Sequence, residues 1–255
     1  MDKVQRMTGR FLAALQFFVA LPMPAALVRR ADHDAGLNRA VPYFPLVGLV
    51  IGICVAFLWV VAASLTPAMV AAGLAIAAGV ILTGGLHEDG LADCADGLGA
   101  REREKVLEIM RDSRTGSYGA AAIVFSIGLR WAALATLLTG AGVLALVIAH
   151  AVSRAAIAIA LRFSTYARRE GTGSLVADGI STEQGLVAAG IALSIAILLG
   201  GVAGILAWLA GFAAAAIVLI IMERRIGGYT GDVLGAMQQL AEIAAMVTLA
   251  ALWSS

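Results

Sequence analysis

The sequence predicts an all-α fold, a polytopic bundle of membrane-crossing helices, and three features carry that prediction. Of its 255 residues, 61% are hydrophobic and only 14% are charged, against roughly 45–50% and about 25% in a soluble domain. No charge lies between Ala40 and Leu86, a stretch long enough for two crossings at about 20 residues each. Along the rest of the chain, charged loops alternate with short uncharged turns. This composition excludes a soluble enzyme and a disordered chain. A formal net charge of +1 excludes a basic-patch nucleic-acid binder. Two cysteines, Cys54 and Cys94, imply no disulfide framework.

The first element is the apolar segment 11–28. Lys3, Arg6 and Arg10 precede it, Arg29-Arg30 follow it, and Pro22 and Pro24 interrupt it. Positive charge at both ends and the lack of a small-residue cleavage site favour an interfacial or re-entrant helix over a signal peptide. About seven crossings follow in a single integral-membrane domain spanning 1–255: 42–65, 68–86, 119–138, 142–161, 184–201, 203–222 and 233–253. The run Gln184–Met222 is too long for one crossing and splits near Gly200-Gly201. The turns Ser64–Pro67, Thr139–Ala141 and Gly200–Gly204 carry no charge, whereas the loops Arg29–Arg39, His87–Ser117, Arg162–Glu183 and Glu223–Asp232 all carry Lys or Arg. By the positive-inside rule those four loops face the cytoplasm.

Within the crossings the charges are Arg130, Arg154 and Glu242, and each costs about 2.5–3.5 kcal/mol at the bilayer centre. For Arg130 two readings stand equal: a pairing or snorkelling charge, or a functional one. His150, Ser153 and Arg154 fall at i, i+3 and i+4 and so share a helix face. A polar face on an apolar helix points to the lining of a polar cavity.

The segment 87–117 forms an acidic cytoplasmic loop. Asp89, Asp93 and Asp96 are spaced i, i+4, i+7, with His87 and Glu88 just before them, and no Lys or Arg occurs from His87 to Ala100. Like charges stacked on one helical face repel. Hard oxygen ligands with no basic partner suit Mg²⁺ shared with substrate phosphates. Glycines at 84, 85, 90, 97 and 99 mark bends or close approach of a ligand. Further on, Arg111, Ser113 and Arg114 stand just before a crossing. Alone they read equally as membrane anchors; beside an acidic metal face they read better as a phosphate clamp.

A third constellation, Gly227-Gly228-Tyr229-Thr230-Gly231-Asp232, opens the last helix, which carries Gln238, Gln239 and Glu242. Gly228, Thr230 and Asp232 are candidates for an anion or substrate site at a helix start, with a plain N-cap as the other reading of Asp232. Glu242 extends the site into the membrane. An acidic Mg²⁺ face, phosphate-binding arginines and a cytoplasmic cavity together indicate phosphoryl or nucleotidyl transfer on a membrane-embedded substrate.

These blocks have a known likeness. His87-Glu88-Asp89-Gly90-Leu91-Ala92-Asp93-Cys94-Ala95-Asp96-Gly97-Leu98 resembles the signature of the cobalamin synthase family. Arg111-Asp112-Ser113 with Gly116 and Gly119, and Gly227–Gly235 with Glu242, are similar to its second and third blocks, and Leu21-Pro22 and Phe44–Gly48 with Gly52 also match. The resemblance implies a last step of vitamin B12 assembly at a bacterial or archaeal cytoplasmic membrane, with the active site facing the cytoplasm. Adenosylcobinamide-GDP and α-ribazole, or its 5′-phosphate, would be the substrates, and GMP the leaving product. It implies a Mg²⁺ cofactor on Asp89, Asp93, Asp96 and Glu88, phosphate stabilisation by Arg111, Arg114 and Arg154, and His87 or Asp96 as base. It leaves room for a homo-oligomer and for association with other corrinoid-assembly enzymes. A CDP-alcohol phosphotransferase fits less well, because Ala92 is followed by Asp93 and not by Arg. A transporter would show internal repeat symmetry, and none is found.

Overall fold

The computed structural model describes residues 3–20, 22–31, 36–168 and 180–254; parts of the loops Arg29–Arg39 and Arg162–Glu183 lie outside them. The helices are α1 (Lys3–Phe18), α2 (Ala25–Val28), α3 (Phe44–Leu65, entered through a 3₁₀ segment at Leu37–Tyr43), α4 (Ala68–Thr83), α5 (Leu86–Gly97), α6 (Arg103–Ile109), α7 (Ser117–Ala135), α8 (Thr139–Ala156), α9 (Ala158–Phe163), α10 (Thr182–Ile226) and α11 (Gly231–Trp253). Among the described residues the one extended pairing is an isolated bridge between Tyr166 and Tyr229.

Polarity is distributed inside out. Leu198, Val202, Phe57 and Phe125 face outward, while Arg130, Arg154, Glu242 and Gln238 are buried. Apolar side chains turned outward suit hydrocarbon, and buried charges must pair with each other. Among the described residues five helices are long and apolar enough to cross a membrane, or six if the bent pair α4–α5 is one crossing. The expected seven counts α10 twice, and that helix does fold back. Gly201 takes φ 55° and ψ −130°, a conformation open to glycine. The Trp208 indole then donates to the Ala189 carbonyl at 3.2 Å; on a straight helix these residues would stand roughly 28 Å apart.

Small residues set the packing around α8, the most enclosed helix. A Cβ at Gly48 of α3 would lie 2.1 Å from the His150 carbonyl, and one at Gly52 would lie 2.8 Å from the Val147 Cα. The two helices therefore meet backbone to backbone at a small-xxx-small pair.

Two boundaries differ from the sequence reading. The N-terminal helix occupies Lys3–Phe18 rather than 11–28, with α2 as a separate turn. Its Lys3, Arg6 and Arg10 lie on the helix, and Pro22 and Pro24 supply no amide hydrogen to continue it. The crossing placed at 68–86 stops at Thr83, because Gly84 and Gly85 both take left-handed φ values of 66° and 69°. There the chain turns by 89° into α5. The acidic segment is thus a helix of its own, turned away from α4 and packed against α7 and α11.

Candidate active site

Close backbone contact seats α5 on the start of α11. A Cβ on Gly90 would stand 2.7 Å from the Asp232 carbonyl oxygen, and one on Gly235 would stand 3.3 Å from the Gly90 and His87 Cα atoms. Neither helix could come so near with a larger residue there. The contact divides the polar residues of α5 into an inward set and an outward set.

Inward, Glu88 enters a buried ionic network. Its Oε1 lies 3.0 Å from Arg130 Nη2 of α7 and accepts from Gln239 Nε2 of α11 at 3.1 Å. Arg130 Nη1 reaches Glu242 Oε1 at 2.9 Å. Glu242 Oε2 accepts from Gln238 at 2.6 Å and stands 3.1 Å from His150 Nδ1. Arg154 Nη1 lies 3.0 Å from the same His150 nitrogen and 3.8 Å from Glu242. Two arginines and two glutamates thus cancel within one apolar interior, as buried charges must. The face of His150, Ser153 and Arg154 read from the sequence exists, but it is filled by Glu242 and Gln238 rather than left open. Glu88 is correspondingly turned away from the carboxylates with which it was expected to bind metal. His87 is buried as well, its ring stacked on Phe18 at 5.8 Å, with Arg154 over the other ring, Phe18, at 5.5 Å. Enclosed in this way, it belongs to the inward set and not to the outward carboxylates.

Outward, the i, i+4, i+7 set splits. Asp96 accepts the Gly116 amide at 2.7 Å and the Gly119 amide at 2.9 Å. It caps the start of α7, where the free backbone N–H groups need acceptors, and both its oxygens are engaged. Asp89 and Asp93 remain, and Asp232 from α11 joins them. Burial, then Asp89 and Asp232, raises the Asp93 carboxyl to about 7, although Arg168 opposes the shift. Arg168 was not singled out in the sequence, where it is one more charge in the loop Arg162–Glu183. The structure brings its Nη2 to 2.8 Å from Asp232 Oδ2 and 3.3 Å from the Met110 carbonyl, and its Nε is buried without a partner. The signal missed was its place next to Tyr166 and Ala167, which pair with the turn at Tyr229.

Among the described residues no three His, Cys, Asp or Glu side chains are gathered closely enough to hold a metal ion by themselves. The donor set still suits one: Mg²⁺ takes one or two carboxylates and completes its shell with water and phosphate oxygens. Asp89 and Asp93, mutually repelling and, among the described residues, not paired to a cation of their own, fit that role.

The arginine segment stays open. Arg111 and Ser113 are exposed between α6 and α7, and Arg114 is held by Asp112 at 2.6 Å. Hydrogen bonds to Arg114 lower the exposed Asp112 carboxyl to about 2. Asp96 fastens this turn to α5 through Gly116. In the third block, Thr230 is buried and its hydroxyl accepts the Val233 amide at 3.3 Å, so it caps α11. A Cβ at Gly228 would lie 2.2 Å from the Thr165 carbonyl, which accounts for that glycine by packing. Arg103 donates to Ile226 O at 2.8 Å, and Arg225 to Ala100 O at 3.0 Å. The charged loops are therefore fastened together at one end of the bundle.

The family model for cobalamin-5-phosphate synthase matches residues 10–250. A protein of Shewanella amazonensis called adenosylcobinamide-GDP ribazoletransferase is 41% identical over 100% of this chain and 99% of its own length. Proteins of the same description from Leptothrix cholodnii and Shewanella baltica are 43% and 40% identical; they cover 95% and 91% of this chain and 96% and 90% of their own lengths. No solved structure matches.

Proposed function

The chain belongs to the cobalamin-5-phosphate synthase family, and from that premise we propose that it joins adenosylcobinamide-GDP to α-ribazole or α-ribazole 5′-phosphate and releases GMP. A ribose hydroxyl of α-ribazole attacks the phosphorus that carries the corrinoid side chain; the bond from that phosphorus to GMP breaks, and GMP leaves with the charge. The observation that carries this reading is the outward face of α5, where Asp89 and Asp93, with Asp232 of α11 beside them, outnumber the one cation found there among the described residues, Arg168.

Asp89 and Asp93 would hold Mg²⁺ together with the diphosphate. When bound, the ion neutralises charge on the transferred and leaving phosphates. Arg168 keeps Asp232 in place and adds positive charge beside the same face. Arg111 and Arg114 stand on the turn fastened by Asp96 and reach phosphate groups when substrate arrives, Arg114 by exchanging Asp112 for a phosphate. The buried network of Glu88, Arg130, Glu242 and Arg154 fixes α5 and does not touch the reacting atoms. The charged loops, all at one end, face the cytoplasm of a bacterial or archaeal cell.

The test is GMP release by the purified protein in detergent or nanodiscs. Release that needs both precursors and Mg²⁺, and stops with EDTA, supports the reading; GMP release without α-ribazole, or none at all, removes it.

A further inference from the structure

A cavity of about 490 Å³ lies between the C-terminal end of α1 and the α4–α5 bend. Its lining includes Gln16, Phe17, Phe18, Gly84, Gly85 and Asp89. We propose that this cavity receives the benzimidazole base of α-ribazole and presents its ribose to the carboxylate face of α5. The proposal rests on the function proposed above and assigns one of its two substrates to a place.

Size comes first. The volume falls within the roughly 300–1,000 Å³ of small-molecule sites and suits a nucleoside, whereas a corrin macrocycle carrying a nucleotide is far larger. The chemistry of the wall is selective too. Phe17 presents aromatic surface, backed by the buried Phe18 and by Phe44, whose ring centroid lies 6.1 Å from Phe17 and 4.8 Å from Phe18. Flat aromatic bases pack favourably on such rings.

Gln16 supplies polarity. Its Nε2 is buried and has no hydrogen-bond partner, an arrangement that is disfavoured unless a ligand or water supplies the acceptor. The benzimidazole of a nucleoside has one ring nitrogen without hydrogen, which can only accept. Once the side chain turns toward the cavity, donor and acceptor match.

Asp89 sits in the wall and on the α5 face at once. A ribose extending from a base held by Gln16 and Phe17 therefore leaves the cavity at the carboxylates. Among the described residues no Lys or Arg lines the cavity, so the base occupies it and a 5′-phosphate points away. The wall is set by the backbone. Ala20 N–H donates to Leu82 O at 3.0 Å, and a Cβ on Gly84 would meet the Ala20 Cβ at 2.5 Å. The chain leaving α1 is thereby pinned against the bend.

The experiment measures steady-state kinetics of the full chain in nanodiscs for wild type, Gln16→Leu and Phe17→Ala, varying each substrate against saturation by the other. Both variants should raise the KM for α-ribazole about tenfold, the usual effect of losing one hydrogen bond or ring contact. The KM for adenosylcobinamide-GDP should stay within about twofold. Calorimetric titration of α-ribazole into the protein without the other substrate should show the same weakening. Thermal melting identifies a misfolded variant, and Gln16→Leu, which preserves size, then decides the matter alone. An unchanged α-ribazole KM, or an equal rise in both KM values, overturns the assignment while wild-type turnover leaves the proposed function standing. Absence of GMP release by wild type removes both.

Discussion

Glu88 of α5 and Arg130 of α7 meet at 3.0 Å, with both side chains almost wholly out of contact with solvent. One residue further along α5, Asp89 points the other way, into the cavity wall. The helix that carries the candidate chemistry is thus anchored from behind by a charge pair, which also joins Glu242 of α11 through the same guanidinium.

Breaking that anchor leaves a buried charge without a partner. Arg130→Met should destabilise the protein by about 3–5 kcal/mol, read as a lower melting temperature in detergent. The double change Glu88→Gln, Arg130→Met should recover part of the loss because it removes one charge of each sign and leaves Glu242 facing Arg154. A double variant no more stable than Arg130→Met would contradict this account.

Asp96 should behave as a structural residue. Asp96→Ala removes both acceptors for the Gly116 and Gly119 amides and should cost roughly 1–3 kcal/mol. Asp96→Asn keeps one acceptor oxygen and should cost less. GMP release measured well below the melting temperature should fall far less for Asp96→Asn than for changes at Asp89 or Asp93.

Asp89→Ala and Asp93→Ala should each lower GMP release by at least about 100-fold without lowering the melting temperature, since each removes a like-charge neighbour. Chelation should abolish wild-type turnover, and added Mg²⁺ should restore it. Turnover near wild type in either variant would remove the metal role of that residue.

Stability should also depend on pH through Asp93. Its carboxyl is raised from 3.8 to about 7 in the folded protein, so between those values the folded state binds more protons than the unfolded one. Stability from this group is full below about pH 4 and is lost as pH rises through 7. Melting without Mg²⁺ should therefore weaken from pH 5 to pH 8. Asp93→Asn should flatten that slope, and Mg²⁺ should reduce it by favouring the carboxylate.

Much of the fold was legible because the membrane imposes strict rules. The apolar runs gave the helices α3, α7, α8 and α11, and the glycine pair at 200-201 gave one bend. The pair at 84-85 reads in the sequence as a bend or a close approach, with the crossing carried on to 86, and its left-handed φ values make it the second bend. The start of α1 was misplaced because Lys3, Arg6 and Arg10 were read as flanks, whereas they stand within the helix. Arg168 went unremarked because a charge in a loop has no periodicity to set it apart.

The sequence by itself determined the class of fold, the family and the presence of carboxylates that outnumber their cations, all of which depend on residue type and spacing. Only the tertiary structure decided which carboxylates lie together. Helical spacing placed Asp96 with Asp89 and Asp93, but the unsatisfied amides at the start of α7 claimed it. Asp232, far off in sequence, took its place beside Asp93 because Gly90 and Gly235 let α5 and α11 come within backbone contact. Glu88 turned inward because Arg130 and Arg154, buried in an apolar interior, required counter-charges, and spacing along one helix cannot reveal a partner on another.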